Sequence, residues 1–225
     1  MSMPFYVAPE QVMKDRADYA RKGIAKGRSL CAVSYDDGIL FCAENTSNTL
    51  RKISEIYDRI AFAGVGRYSE FDQLRVAGVR HADMKGYAYS REDVDAQSLA
   101  NAYAQMLNHT FTHEMKPMEV EILVAEIGEH RHQDELFHIL YDGSVVDENR
   151  FSVLGGEAEA ITARLDEAWA DHLDLDAALR AAVGALAGAE RTLTADDLEV
   201  AVLARSNGRR KFARIEGDAL TARLG

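Results

Sequence analysis

An α+β domain built on antiparallel sheets is expected, for three reasons. Strand and helix patterns come in blocks, helix, strands, two helices, strands, two helices, strands, instead of alternating one by one as βαβ crossovers require. Tight-turn dipeptides, Asp37-Gly38, Asp142-Gly143 and Asn207-Gly208, sit between apolar runs where hairpins belong. Only three prolines and no low-complexity tract or solenoid-period repeat occur in 225 residues, so one unit with a large core is expected over 9–225. Two helix pairs suffice to cover the outer faces of two stacked sheets.

Each element follows from local pattern. From Pro9 the stripe Met13, Ala17, Ala20, Ile24 marks one face of a helix over 9–27. Glu10 lies near its start, Arg21, Lys22 and Lys26 lie near its end in keeping with the helix dipole, and Gly27 is there to stop it. Ser29–Tyr35 and Ile39–Glu44 read as strands joined by the Asp36-Asp37-Gly38 turn. Thr46–Asn48 is a polar loop, and short strands are expected over Leu50–Ile53 and Ile56–Val65. Phe71, Leu74, Gly78 and Ala82 line a helix over Tyr68–Met84, with Gly86–Ser90 expected to break it. A second helix carries Leu99, Tyr103, Met106 and Thr110 behind an Asp95 N-cap. Strands resume at Val120–Val124, Leu136–Tyr141, Ser144–Asp147 and Phe151–Leu154. After Gly155-Gly156 come two helices, one through Ala160, Ala163, Leu165 and Ala168, the next through Leu175, Leu179, Val183 and Leu186. A last hairpin, Leu198–Leu203 with Lys211–Ile215, precedes a short closing helix.

Composition narrows the function. With 37 acidic against 26 basic residues the formal charge is −11, which disfavours nucleic acid, whose phosphates call for a cationic face. No apolar run approaches the ~20 residues of a membrane helix, and Met1–Ala8 lacks the basic start and apolar stretch of a signal peptide, so a cytoplasmic protein without a membrane partner is expected. Cys31 and Cys42, each inside a strand of the first hairpin, read as small buried hydrophobes and not as a disulfide or redox pair.

The chain resembles the proteasome alpha-subunit family at residues that can be quoted. Asp18-Tyr-Ala-Arg-Lys-Gly-Ile-Ala-Lys-Gly27 resembles the family's Glu-Tyr-Ala stretch running into Lys-Gly. Arg51-Lys52-Ile53 then leads into the small-residue strand Ile60-Ala-Phe-Ala-Gly-Val-Gly66 just ahead of a long helix. Ala8-Pro9-Glu10-Gln11 matches the family's helix entrance more loosely. The likeness extends over essentially the whole chain, and the wording from Pro9 to Ala25 is most similar to the actinobacterial branch. The resemblance implies a four-layer αββα sandwich of the N-terminal-nucleophile hydrolase kind with an extra N-terminal helix.

It also implies a role. Catalytic beta subunits of the family use an N-terminal threonine whose free α-amine assists proton transfer. Counting back from Asp37-Gly38, that position falls at Arg28 or Ser29, and either lies inside a peptide bond, so no catalytic residue is expected. Ser29 and Glu44 then read as relicts of a catalytic constellation. Lys52 resembles both the family's catalytic lysine and the alpha-ring lysine that receives the C-terminal carboxylate of an activator tail. Gly27 and Gly66 match glycines lining that tail pocket. Met3, Pro4, Phe5, Tyr6, Val7 and Ala8 fall in the segment, 1–8, that gates the pore in the family. The implied partners are copies of this chain in a heptameric ring, proteasome beta subunits, a hexameric ring ATPase or other activator with a docking tail, and unfolded protein substrates in transit. No cofactor is implied.

Two other readings have residues behind them. Cleavage before Ser29 would discard the first helix and leave an active N-terminal-nucleophile amidohydrolase. His109 and His113 at i, i+4 with Glu114 adjacent could face a metal, but no third ligand stands near, and a solvated helix face accounts for them. Glu129–His132 reads as a loop tip, and Gly155-Gly156 as a strand-to-helix turn without the lysine of a phosphate loop.

Overall fold

The computed structural model describes residues 8–225. Helix α1 (Pro9–Ile24) leads into strands β1 (Leu30–Tyr35), β2 (Gly38–Glu44), β3 (Ile53–Tyr57) and β4 (Ile60–Gly66). Helices α2 (Tyr68–Ala88) and α3 (Ala96–His113) follow, then β5 (Val120–Glu126), β6 (Glu135–Ile139), β7 (Val145–Glu148) and β8 (Phe151–Leu154). Helices α4 (Ala158–Ala168) and α5 (Leu175–Ala187), strands β9 (Leu198–Ala204) and β10 (Phe212–Ile215), and helix α6 (Gly217–Leu224) complete the chain.

The strands form two five-stranded sheets, ordered β10-β9-β2-β1-β8 and β3-β4-β5-β6-β7, and every neighbouring pair is antiparallel. Alternation assigns the faces. Leu30, Ala32, Ile39, Phe41 and Ala43 of the first sheet meet Ile53, Ala61, Ala63, Leu123 and Ala125 of the second in the middle layer. The opposite face of the first sheet, Cys31, Val33, Leu40, Cys42 and Val200, is covered by Ile161 and Leu165 of α4 and Leu179 and Leu186 of α5. Phe62, Ile122 and Val124 turn the other way, under Phe71 and Leu74 of α2 and Leu99 and Tyr103 of α3. This is the αββα sandwich expected from the resemblance. Each Leu or Ile sealed between its layers contributes roughly 1.5–3 kcal/mol by the water-exposed surface it removes. Cys31 and Cys42 sit directly opposite each other on β1 and β2, fully buried as free thiols, and burial pushes Cys31 up to about 12.

Several element boundaries depart from expectation. The first helix ends at Ile24, and Ala25–Gly27 form the turn out of it. Ala20 and Ile24 reach the middle layer, whereas Met13 is 39% exposed, so only the second half of the stripe is core. The third strand begins at Ile53, and the turn before the fourth falls at Asp58-Arg59, where Tyr57 pairs with Ile60. Helix α2 runs through Gly86 to Ala88. A Cβ there would come within 2.2 Å of Tyr57 Oη, so this glycine permits close packing and does not break the helix. In α3 the buried row is Leu99, Tyr103, Leu107, while Met106 is exposed, because the 3.6-residue period carries the stripe one position further. Asp95 caps α3 as expected, its Oδ1 accepting the Ser98 N–H at 2.7 Å.

Candidate functional site

Sheet register brings the site together at one end of the middle layer. The Gly27–Ser29 turn links α1 to the head of β1, Glu44 closes β2, and Leu30 pairs with Ala43, so the start of one strand lies beside the end of the other. Lys52 immediately precedes β3 of the facing sheet and reaches across. Its Nζ donates to the Arg28 carbonyl at 2.5 Å and to the Glu44 carbonyl at 3.1 Å. An ammonium has three protons, so two are committed and one is left. Burial lowers the Lys52 pKa to about 8; the Glu199 and Glu44 carboxylates pull it back up and the Arg28 guanidinium pushes it down.

The side chain of Glu44 is engaged elsewhere. Arg28 Nη1 donates to Oε1 at 2.7 Å, and Arg191 Nη1 lies 3.1 Å from both oxygens. Arg191 is itself aimed by a bond from Nη2 to the Leu186 carbonyl in the last turn of α5, at 2.7 Å. Behind Lys52 a second carboxylate holds the backbone. Glu199, on fully buried β9, accepts the Lys52 N–H (2.8 Å) and Asn45 Nδ2 (2.8 Å) at Oε2, and the Ile53 N–H (3.2 Å) and Arg214 Nη1 (2.8 Å) at Oε1. A buried charge with four donors is satisfied, and the loop that delivers Lys52 is thereby pinned.

Of the residues singled out by sequence, Lys52, Gly27, Ser29 and Glu44 converge here, and Gly66 touches the same turn. A Cβ on Gly27 would lie 3.1 Å from the Gly66 nitrogen. Gly66 has φ +110°, and a Cβ there would lie 2.0 Å from the Glu119 carbonyl, so its lack of a side chain is required by the fold itself. Ser29 is buried, its carbonyl accepting the Glu44 N–H at 3.1 Å, while it is the carbonyl of Arg28, one residue earlier, that takes the lysine. A cleft of about 340 Å3 opens beside these groups, lined among others by Lys26, Arg28, Ser29, Glu44 and Arg191. Ala8 is exposed at the start of α1; Met3, Pro4, Phe5, Tyr6 and Val7 lie outside the described residues.

Arg191, Glu199 and Arg214 were not among the residues the sequence singled out, and Arg28 stood there only as one of two positions for the family's nucleophile. For Glu199 a signal existed, a lone acid in the apolar run Leu198–Leu203. Arg191, 147 positions from Glu44, offered none. The His109 and His113 rings stack with centroids 4.8 Å apart, and among the described residues no group of three or more His, Cys, Asp or Glu is placed to hold a metal ion. No described helix is long and apolar enough to cross a membrane.

Two antiparallel sheets between helix pairs, with a lysine and an acid gathered at the head of the first strand, define the proteasome class of sandwich, and a family model described as "Proteasome subunit" matches residues 24–203. Similar proteins are more specific. "Proteasome subunit alpha" of Acidimicrobium ferrooxidans is 60% identical over 225 residues, covering 100% of this chain and 97% of that protein. The protein of the same name from Thermobifida fusca is 58% identical, over 100% of this chain and 91% of its own length. That of Acidothermus cellulolyticus is 56% identical, over 98% and 97%. The chain belongs to the proteasome subunit family, among its alpha subunits.

Proposed function

We propose that this chain is a non-catalytic subunit of a 20S proteasome core. In this reading seven copies form an outer ring on rings of beta subunits, residues 1–8 gate the passage of unfolded proteins, and the pocket at Lys52, Gly27 and Gly66 receives the C-terminal tail of an activator such as a hexameric ring ATPase. The protein works in the cytoplasm, without a cofactor. Its likeness to the actinobacterial branch points to substrates tagged with a small ubiquitin-like modifier.

One observation carries the proposal: the head of β1 is tied into the fold on both sides. Upstream, Ala20 and Ile24 anchor α1 in the middle layer; at the strand itself, Lys52 binds the Arg28 carbonyl. Hydrolysis by an N-terminal nucleophile needs a free α-amine beside the hydroxyl, and here the nitrogen of Ser29 belongs to a peptide bond, neither basic nor terminal. Lys52 and Glu44, which would support such a nucleophile, are instead an ammonium with two of its three protons committed and a carboxylate held by two arginines. Val12, Met13 and Tyr19, exposed on α1, supply apolar surface for a neighbouring subunit.

Native mass measurement after co-expression with a threonine-bearing beta subunit tests the reading. A complex of four stacked seven-membered rings, with α1 still attached to this chain on N-terminal sequencing, is the expected result. A new N-terminus at Ser29, or peptide hydrolysis by this chain purified alone, would establish the amidohydrolase in its place.

A further inference from the structure

The anion best placed to occupy Lys52 is the protein's own. The Glu44 backbone carbonyl already touches the ammonium at 3.1 Å, so the carboxylate of the same residue needs only a side-chain rotation to reach the remaining proton. Glu199 cannot compete, since its four donors hold it on the backbone side of the lysine. What keeps Glu44 away is the pair of guanidiniums. Exposure does not separate the two, at 52% for Arg28 and 46% for Arg191, but Arg28 reaches only one carboxylate oxygen. Arg191 spans both carboxylate oxygens and is fixed from behind by the Leu186 carbonyl.

We infer that the Arg28–Glu44–Arg191 clamp holds Lys52 open for an incoming carboxylate, and that Arg191 is the positioning residue of the tail site. The inference rests on the tail reading above and adds its regulation. With the clamp closed, four cations, Lys52, Arg28, Arg191 and Arg214, face the two carboxylates of Glu44 and Glu199, and the surplus positive charge favours an arriving chain terminus. With the clamp released, Glu44 turns onto Lys52 and an internal ion pair takes the place of the tail.

The test uses assembled particles and a fluorescent heptapeptide with a free C-terminal carboxylate, its C-terminally amidated twin serving as control. Arg191→Ala is expected to weaken the carboxylate peptide about tenfold, roughly the worth of one lost charge contact, while leaving the amidated peptide unchanged. Adding Glu44→Gln to that variant removes the internal competitor and restores affinity. Arg191→Gln, which retains a donor toward Leu186, is the second variant should the alanine particles fail to assemble. Wild-type affinity in both Arg191 variants overturns the clamp, as does a loss that Glu44→Gln does not rescue. Lys52→Ala separates the two levels. If it binds the peptide normally, the tail site itself falls and the clamp with it. If it loses binding while Arg191→Ala does not, the tail site stands and only the clamp is lost.

Discussion

At the tail site proposed for Lys52, raising the pH should switch off binding at a point that betrays the burial of this lysine. An ordinary lysine titrates at 10.5 and stays charged throughout the range in which proteasomes are assayed, but here burial brings the amine down to about 8. Only the ammonium form attracts a carboxylate, so the observed affinity scales with the protonated fraction. The sign follows directly: affinity is flat well below pH 8 and falls about tenfold for each further pH unit, or about 1.4 kcal/mol per unit. Between about pH 7 and pH 9 the protonated fraction drops from roughly nine-tenths to one-tenth, whereas a lysine titrating at its ordinary value would lose only a few per cent. Fluorescence anisotropy of the free-carboxylate peptide on assembled particles reads this, and Lys52→Arg supplies a control whose charge persists across the range. An affinity that holds constant to pH 9.5, or one that falls identically in Lys52→Arg, would contradict a desolvated Lys52 as the titrating group. The first would mean that the amine is not desolvated, the second that some other group titrates.

Three further outcomes follow from the same geometry. Glu199→Leu strands Arg214 and the Lys52 and Ile53 N–H groups in a buried setting. Breaking a buried pair in this way costs about 3–5 kcal/mol, and circular dichroism should show Tm lowered by roughly 6–20 °C for a chain of this size; a drop below about 2 °C would remove Glu199 from its supporting role. Asp95→Ala deletes the α3 cap and the Lys85 ion pair, and should lower stability by about 1 kcal/mol in urea titration with an unchanged m-value. Deleting residues 1–8 should accelerate hydrolysis of a casein-like unfolded protein by assembled particles while leaving short-peptide hydrolysis nearly unchanged; equal rates on casein would argue against a gate.

Features that depend on neighbours a few residues apart were legible from local pattern. The Asp37-Gly38 and Asp142-Gly143 turns, the Phe71–Leu74–Gly78–Ala82 row of α2 and the Asp95 cap are all written in local spacing, whereas the turn after β9 falls at Arg205-Ser206 and Asn207-Gly208 lies in the loop beyond it. The quoted run from Asp18 to Gly66 carried the family. Where local signals were ambiguous they misled. Gly86 reads as a helix breaker until Tyr57 is seen packed against it, and the β3–β4 turn at Asp58-Arg59 lacks the Asp-Gly pair found at the β1–β2 and β6–β7 turns. The groups gathered around Lys52 and Glu44 are brought together by long-range packing alone. The Arg28 carbonyl, the Arg191 guanidinium and the Glu199 carboxylate come from separate strands and loops, the last 147 positions from Lys52, and antiparallel register across two stacked sheets sets them within hydrogen-bonding distance of the site. Periodicity is a property of one segment. An electrostatic environment is a property of all the segments that surround a group, and burial by the whole fold is what takes Lys52 from an ordinary lysine to an amine that titrates near neutral pH.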